Sequence, residues 1–274
     1  MEFNERTKLA IELAKIAGKE IKRIRDEEDI ETKGKGVNDV VTVADIRSEK
    51  IITTKINEMF PNDTIIAEES GKNTVGNNEY SWAIDPLDGT LNYSRGMPTY
   101  CVSIGYMKDN KPYGGAVYIP ELDELYYGEK GKGAYCNGKK ISVSKETDIS
   151  KSLAVIGFNN RFPEKREFYN KVHNKCMYQM VNAETLFSTV INLCYVASGK
   201  IDAELEVFCF VWDICAGSLF VEEAGGKCST VNYEPLDYSK LEKQIIISTN
   251  GNIHQEFEDI VNGWKINWLM IKLN

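Results

Sequence analysis

The segment Trp82-Ala83-Ile84-Asp85-Pro86-Leu87-Asp88-Gly89-Thr90-Leu91-Asn92 carries two carboxylates three residues apart around a proline, followed at once by a glycine and a threonine. Trp82 to Asp85 reads as a buried strand, so Asp85 stands at a strand end and Pro86 turns the chain toward Asp88. Gly89 lets the backbone approach a bulky anion. The N–H groups of Gly89 and Thr90 are placed to open a short helix, whose dipole favours negative charge. Carboxylates beside such donors suit a metal ion that faces a phosphate. Water activated by metal near a phosphate becomes a nucleophile at neutral pH.

Further acids sit at element ends: Asp45 before a helix, Glu68-Glu69 after a strand, and Asp213 opening a helix. Singly, each has a structural explanation, Asp45 and Asp213 as helix N-caps and Glu68-Glu69 as a solvated loop. Together they need more. Asp85 and Glu68 both follow apolar strands and are drawn to a partly buried edge, where carboxylates repel and require a compensating charge. Hard divalent cations with oxygen ligands supply it, and no histidine or cysteine adjoins these acids. Mg²⁺ or Mn²⁺ is therefore favoured over Zn²⁺. The chain has only two histidines, His173 and His254, both in polar, helix-like surroundings and without a matching nucleophile or ligand motif. Catalysis is expected to rest on carboxylates rather than on a serine-hydrolase triad.

The elements that must position these acids are legible in outline. Leu9, Leu13, Ile16, Ala17, Ile21 and Ile24 form one face of a helix within residues 3–25. Lys33-Gly34-Lys35-Gly36 reads as a loop or hairpin tip, and a second helix turns Ile52, Ile56 and Met59 inward and ends before Pro61. Thr64 to Ala67 is a buried strand ending on Glu68, and residues 71–78 form a polar loop. Residues 101–144 alternate β-rich runs with turns, including the hairpin signal Asn137-Gly138. The second half reads as a strand at 153–158, a helix at 184–197, a strand at 201–205, a helix at 213–224 closed by Gly225-Gly226, a strand at 245–248 and a terminal helix from about Ile253. Strand ends and helix starts gathered at one edge of a layered sheet are where ligand sites concentrate.

Composition narrows the partners. The 274 residues suffice for a large core, as one domain spanning 1–274 or as two intimate lobes, 1–150 and 151–274. A net charge of −8 argues against a nucleic-acid backbone as ligand, whereas a phosphorylated small molecule remains compatible once metal ions supply positive charge. The N-terminus lacks the layout of a secretory signal, and no run is apolar enough to span a membrane. Seven cysteines, an odd number with no C-x-x-C pair, read as reduced thiols of a cytoplasmic protein. The tail Trp264 to Ile271 is apolar for a terminus and packs either on the domain or on a partner subunit.

Asp45, Glu68-Glu69, Asp85-Pro86-Leu87-Asp88-Gly89-Thr90 and Trp212-Asp213, closed by Glu223-Ala224-Gly225-Gly226, together resemble the inositol monophosphatase family of metal-dependent, lithium-sensitive sugar phosphatases. The likeness spans nearly the whole chain, from Asp39-x-Val41-Thr42-x-x-Asp45 to Gly226. It implies an α/β (α+β) fold, a layered αβαβα sandwich, commonly assembled as a homodimer. It implies two or three Mg²⁺ ions per site, with Mn²⁺ as a possible substitute. Glu68, Asp85 and the Leu87 carbonyl would hold the first ion, and Asp85, Asp88 and Asp213 the second. A third, weaker ion would use Glu68 and waters. Thr90, hydrogen-bonded to Asp45, would orient and help deprotonate the attacking water. Asp88, Gly89 and Thr90 would receive the phosphate, and Glu206 would contact substrate hydroxyls.

The chain departs from the family pattern at Phe187-Ser188-Thr189, where members carry a Gly-Ser-Ala type sequence near the alcohol part of the substrate. The lysine usual before the first aspartate block is either Lys33 or Lys35. The implied activity is a phosphomonoesterase acting on a small polyol or sugar phosphate, with inositol monophosphate the leading substrate. Fructose-1,6-bisphosphatase and 3′(2′),5′-bisphosphate nucleotidase are alternatives with the same motifs. A regulator that binds metal or phosphate without catalysis fits less well, because a binding module has no need of the Asp45 and Thr90 pair.

Overall fold

A computed structural model of the chain describes residues 2–28, 30–36, 39–73, 79–158, 166–185, 188–239 and 244–262. Two sheets, each with helices on both faces, make five layers, the αβαβα arrangement implied above. The outer layer is α1 (Glu5–Glu27) and α2 (Val43–Met59). They cover an eight-stranded, mostly antiparallel sheet of order β10-β9-β8-β7-β6-β5-β3-β4. Its strands are β3 (Thr64–Ala67), β4 (Gly71–Asn73), β5 (Tyr80–Asp88), β6 (Cys101–Lys108), β7 (Lys111–Ile119), β8 (Glu124–Glu129), β9 (Gly133–Cys136) and β10 (Lys139–Lys140). The central layer is α5 (Thr189–Ala197) and α6 (Val211–Glu223). The second sheet, β12 (Asn182–Glu184), β11 (Leu153–Phe158), β13 (Ala203–Cys209), β15 (Gln244–Thr249) and β14 (Lys227–Thr230), follows, with α4 (Arg166–Gln179) and α7 (His254–Asn262) outside it. The short helix α3 (Thr90–Ser94) follows β5, and a small hairpin, β1 (Lys33–Gly36) and β2 (Asp39–Val41), precedes α2.

The apolar stripe of α1 that reaches the sheet is Leu9, Leu13, Ala17, Ile21 and Ile24, all buried. Ile16 lies at its margin and is 44% exposed, contrary to its expected inward place. Met59 is likewise 45% exposed. It occupies the last helical position, and the following residue, Phe60, packs back on Trp82 instead, with ring centroids 5.9 Å apart. Lys33–Gly36 is a paired hairpin arm rather than a loop or tip, since backbone pairing with Val41 and Val40 needs no apolar side chains. Residues 184–197 are not one helix: Glu184 ends an edge strand, and α5 starts only at Thr189, after Ser188 caps it by accepting the Ile191 N–H. The strand read at 201–205 runs from Ala203 to Cys209, which puts Glu206 at its middle. Helix α4 and strands β12 and β14 were not among the elements read from the sequence, and residues 71–73, read as the start of a polar loop, form strand β4 because backbone pairing with β3 needs no apolar side chains.

His254 opens α7 among polar partners, as its helix-like, polar surroundings in the sequence suggest. It is 2% exposed, with Nδ1 2.9 Å from Thr249 Oγ1 and Nε2 3.0 Å from Glu258 Oε1. It tethers α7 to the second sheet.

One polar knot ties the outer helices to the first sheet. The carboxylate of Asp63 accepts Nε and Nη2 of Arg6, at 2.8 and 2.9 Å, and Nε1 of the fully buried Trp82 at 2.9 Å. The Arg6 guanidinium also stacks over Tyr80, 3.8 Å from the ring centre. Asp63→Ala strands a buried indole N–H and an arginine at once. We expect a loss of about 3 kcal/mol, or roughly 6–10 °C in Tm for a domain of this size. An unchanged melting temperature would show that the knot carries no stability.

No helix among the described residues is long and apolar enough to cross a membrane. The tail at 264–271, residues 74–78 of the polar loop, and Phe187 lie outside the described residues.

Candidate active site

The parallel pairing of β3 with β5 brings the first two acids together. Ala67 stands opposite Ile84, and the Glu68 N–H donates to the Ile84 carbonyl at 3.1 Å, so Glu68 and Asp85 leave neighbouring strands at one edge. Asp85 does not end its strand. Strand β5 continues through Pro86 to Asp88, and the pairing with β6 shifts register between Asp85 and Asp88. This is a bulge, which tolerates proline because a ladder N–H is not needed there. The bulge turns Asp85 (2% exposed) and Asp88 into the same cleft, with Asp85 Oδ1 accepting the Leu87 N–H at 3.0 Å.

Gly89 caps α3 in the left-handed region at φ +85°, and a Cβ there would meet the Thr99 carbonyl at 2.6 Å, so only glycine fits. This permits Thr90 to turn inward. Its hydroxyl lies 3.1 Å from Asp45 Oδ1 and 3.0 Å from the Leu87 carbonyl, the two acceptors for its one proton. Asp45 is not an N-cap. Thr42 caps α2, and Asp45, fully buried one turn in, closes the box by accepting the Thr42 N–H at 2.8 Å and the Thr42 hydroxyl at 2.6 Å on Oδ2. One oxygen is thus spent on the helix and the other on Thr90. Asp213 has the same place in α6, which begins at Val211: its Oδ2 accepts the Phe210 N–H at 2.6 Å.

The central layer completes the cleft. Asp88 Oδ2 accepts the Ser188 hydroxyl at 2.7 Å and the Val190 N–H at 3.0 Å, both from the first turn of α5. These two donors were not recognised in the sequence as Asp88's partners; the cue was Ser188 in the family motif, beside the atypical Phe187. Glu206 is buried on β13 opposite Gly157 of β11, and a Cβ on Gly157 would collide with Glu206 Oε2 at 1.7 Å. The absence of a side chain at residue 157 makes room for this carboxylate.

Electrostatically the cleft is overfull of negative charge. Burial first, then Glu68, Asp88 and Asp213, push the Asp85 carboxyl well above its ordinary range. Burial, then Asp88 and Glu68, do the same to Asp213. Burial and Asp88 push Glu206 up to about 8. The strongest neighbours of Asp85 and Asp213 are other carboxylates, countered by single backbone N–H groups. Bringing these acids together without a cation is unfavourable.

The donor set fits a hard divalent cation: carboxylate oxygens of Glu68, Asp85, Asp88 and Asp213 and the Leu87 carbonyl, with no soft ligand required. Among the described residues, no three acidic, histidine or cysteine side chains are already drawn around one point. Asp85 and Asp213 instead accept backbone N–H groups beside them in the chain, and Asp88 accepts two donors from α5.

Comparisons with known proteins show the family and the fold. The model of the inositol monophosphatase family matches residues 2–262. The "Fructose-1,6-bisphosphatase/inositol-1-monophosphatase" of Aquifex aeolicus is 37% identical over 91% of this chain and 94% of its own length. Bovine "Inositol monophosphatase 1" is 35% identical over 89% of each chain. A solved inositol monophosphatase structure from Anabaena superposes with a TM-score of 0.82, at 36% identity over 93% of this chain and 94% of that one.

Proposed function

The chain belongs to the inositol monophosphatase family and is an inositol-monophosphatase-like phosphatase; from that premise we propose that it is a Mg²⁺-dependent phosphomonoesterase of small polyol or sugar phosphates, inositol monophosphate first among them. One observation carries the reading: the Thr90–Asp45 hydrogen bond accompanies four acids, Glu68, Asp85, Asp88 and Asp213, close enough for their charges to act on one another.

In this reading Glu68, Asp85, Asp88, Asp213 and the Leu87 carbonyl hold two or three divalent cations, Mg²⁺ or in its place Mn²⁺. Such ions supply charge neutralisation for the phosphoryl oxygens and a lowered pKa for water. The chain's own residues do the rest. Asp45 accepts the Thr90 proton, which leaves a lone pair of Thr90 Oγ1 to take a proton from the attacking water and aim its oxygen at phosphorus. Asp88, Gly89 and Thr90 receive the phosphate from the strand side. Glu206 and Asp213 meet the alcohol part, where Glu206 accepts from a substrate hydroxyl and so favours polyols.

A second substrate has specific support. The Aquifex relative is named for both fructose-1,6-bisphosphatase and inositol-1-monophosphatase activity. The acidity of the cleft demands the same cations for either. A phosphate-release screen over inositol monophosphates, fructose 1,6-bisphosphate and adenosine 3′,5′-bisphosphate, with Mg²⁺ and with chelator, tests both readings. Release from an inositol phosphate or the sugar bisphosphate only with Mg²⁺ is expected, with inhibition by millimolar lithium. Release that persists undiminished in chelator would overturn the proposal.

All seven cysteines are free thiols, which supports a cytoplasmic setting. We propose a homodimer as the assembly.

A further inference from the structure

Helix α2 presents three polar side chains at 45, 48 and 49, the spacing of one helical face, and each grips a different part of the cleft. Asp45 accepts from Thr90, at the start of α3. Ser48, fully buried, donates to the Pro86 carbonyl at 2.7 Å, inside the β5 bulge. Glu49, 6% exposed, accepts the Glu69 N–H on Oε2 at 2.9 Å, in the turn that follows β3. The first contact belongs to the chemistry proposed above. The other two reach backbone atoms and have no part in it.

Their targets are informative. The Glu69 N–H is the amide directly after Glu68, and the Glu68 N–H is held by the Ile84 carbonyl. Glu68 is therefore fixed by its own amide against β5 and by the next amide against α2. With both flanking peptide groups held, its side chain is launched toward Asp85 from a rigid base. The Pro86 carbonyl lies between Asp85 and Leu87, so Ser48 sets the orientation of the peptide that separates two proposed ligands. A carboxylate is a costly group to bury for holding one N–H, unless the bond matters for placement.

We infer that Glu49, seconded by Ser48, is a positioning residue for the cation site: it locks the turn carrying Glu68 onto α2 and so sets divalent-cation affinity. The inference rests on the cation-binding role proposed for Glu68. Residues that hold metal ligands in place typically contribute 10–100-fold in affinity.

The test is a calorimetric titration of Mn²⁺ into the purified protein and into Glu49→Met, Glu49→Gln and Ser48→Ala, with melting curves in chelator beside it. Methionine matches the size of glutamate but offers the Glu69 N–H no adequate acceptor, whereas glutamine restores one. Weakening of about 10–100-fold in Glu49→Met, with recovery to within about threefold in Glu49→Gln, is expected. A purely structural role would lower the melting temperature of Glu49→Met in chelator and leave Mn²⁺ affinity at the wild-type value, and that result overturns the inference. Should Glu49→Met not fold, Ser48→Ala decides: several-fold weaker Mn²⁺ binding supports the inference, and unchanged binding overturns it. If the wild-type protein takes up no Mn²⁺, the cation-binding reading itself fails, and this inference fails with it.

Discussion

Asp88→Asn is expected to lower phosphate release by on the order of 10³-fold, about 4 kcal/mol in the barrier, while the protein stays folded. Stability and activity separate here for a geometric reason. The Ser188 hydroxyl, the Val190 N–H and the Cys101 thiol all aim at Asp88 Oδ2. An asparagine carbonyl can accept from these same donors. Folding should change by no more than about 1 kcal/mol, because these hydrogen bonds survive. The negative charge does not survive. Asp88 raises the carboxyls of Asp85, Asp213 and Glu206, so its neutralisation relieves repulsion, and the melting temperature in chelator should stay level or rise. Near-normal turnover in a folded Asp88→Asn protein would remove Asp88 from the machinery.

The second large effect concerns Asp45 and Thr90. Asp45→Asn and Thr90→Ala should each reduce kcat by about 10²–10⁴-fold, the range of a positioned proton acceptor. Together they should cost little more than either alone, since the two act as one unit. The geometry explains the asparagine effect. Asp45 Oδ2 already receives two Thr42 donors, so an asparagine must keep its carbonyl there and turn its NH₂ toward Thr90. The Thr90 hydroxyl then loses an acceptor and can give its proton only to the Leu87 carbonyl. Single-turnover phosphate release on the two variants and the double variant measures this. Losses that multiply would show that the residues work independently.

Much of the architecture could be read locally. Thr64–Ala67, uniformly apolar and ended by Glu68, is a strand with the expected bounds. The Asn137-Gly138 signal does join two paired strands, β9 and β10. Gly199 and Gly225 follow α5 and α6 with positive φ, where left-handed backbone ends a helix. Local reading failed where the determinant was not local. The edge strand at Asn182–Glu184 forms because β11 offers it a partner, and nothing in three polar-flanked residues announces that. Strand β5 passes through Pro86 because β6 accommodates a bulge opposite it, whereas proline alone signals a turn. Ile16 and Met59 have helical spacing, yet the width of the buried stripe is set by the sheet beneath, not by the helix.

The same division holds for the site. Residue types already pointed to the kind of chemistry: an all-oxygen, acid-rich set around Asp85-Pro86-Leu87-Asp88-Gly89-Thr90, with a glycine beside it. Residue types fix which cations and anions can be bound, and backbone preferences act over a few residues. Which acids lie side by side depends on how the elements pack. Glu68 adjoins Asp85 because β3 and β5 are parallel and in register. Asp88 is held by a serine 100 residues away because α5 is packed between the two sheets with its first turn at the cleft. Glu49 meets the Glu69 amide because α2 lies against β5. Contacts between distant segments follow from sheet pairing and from the stacking of layers over buried apolar faces, and no local spacing of residues encodes them.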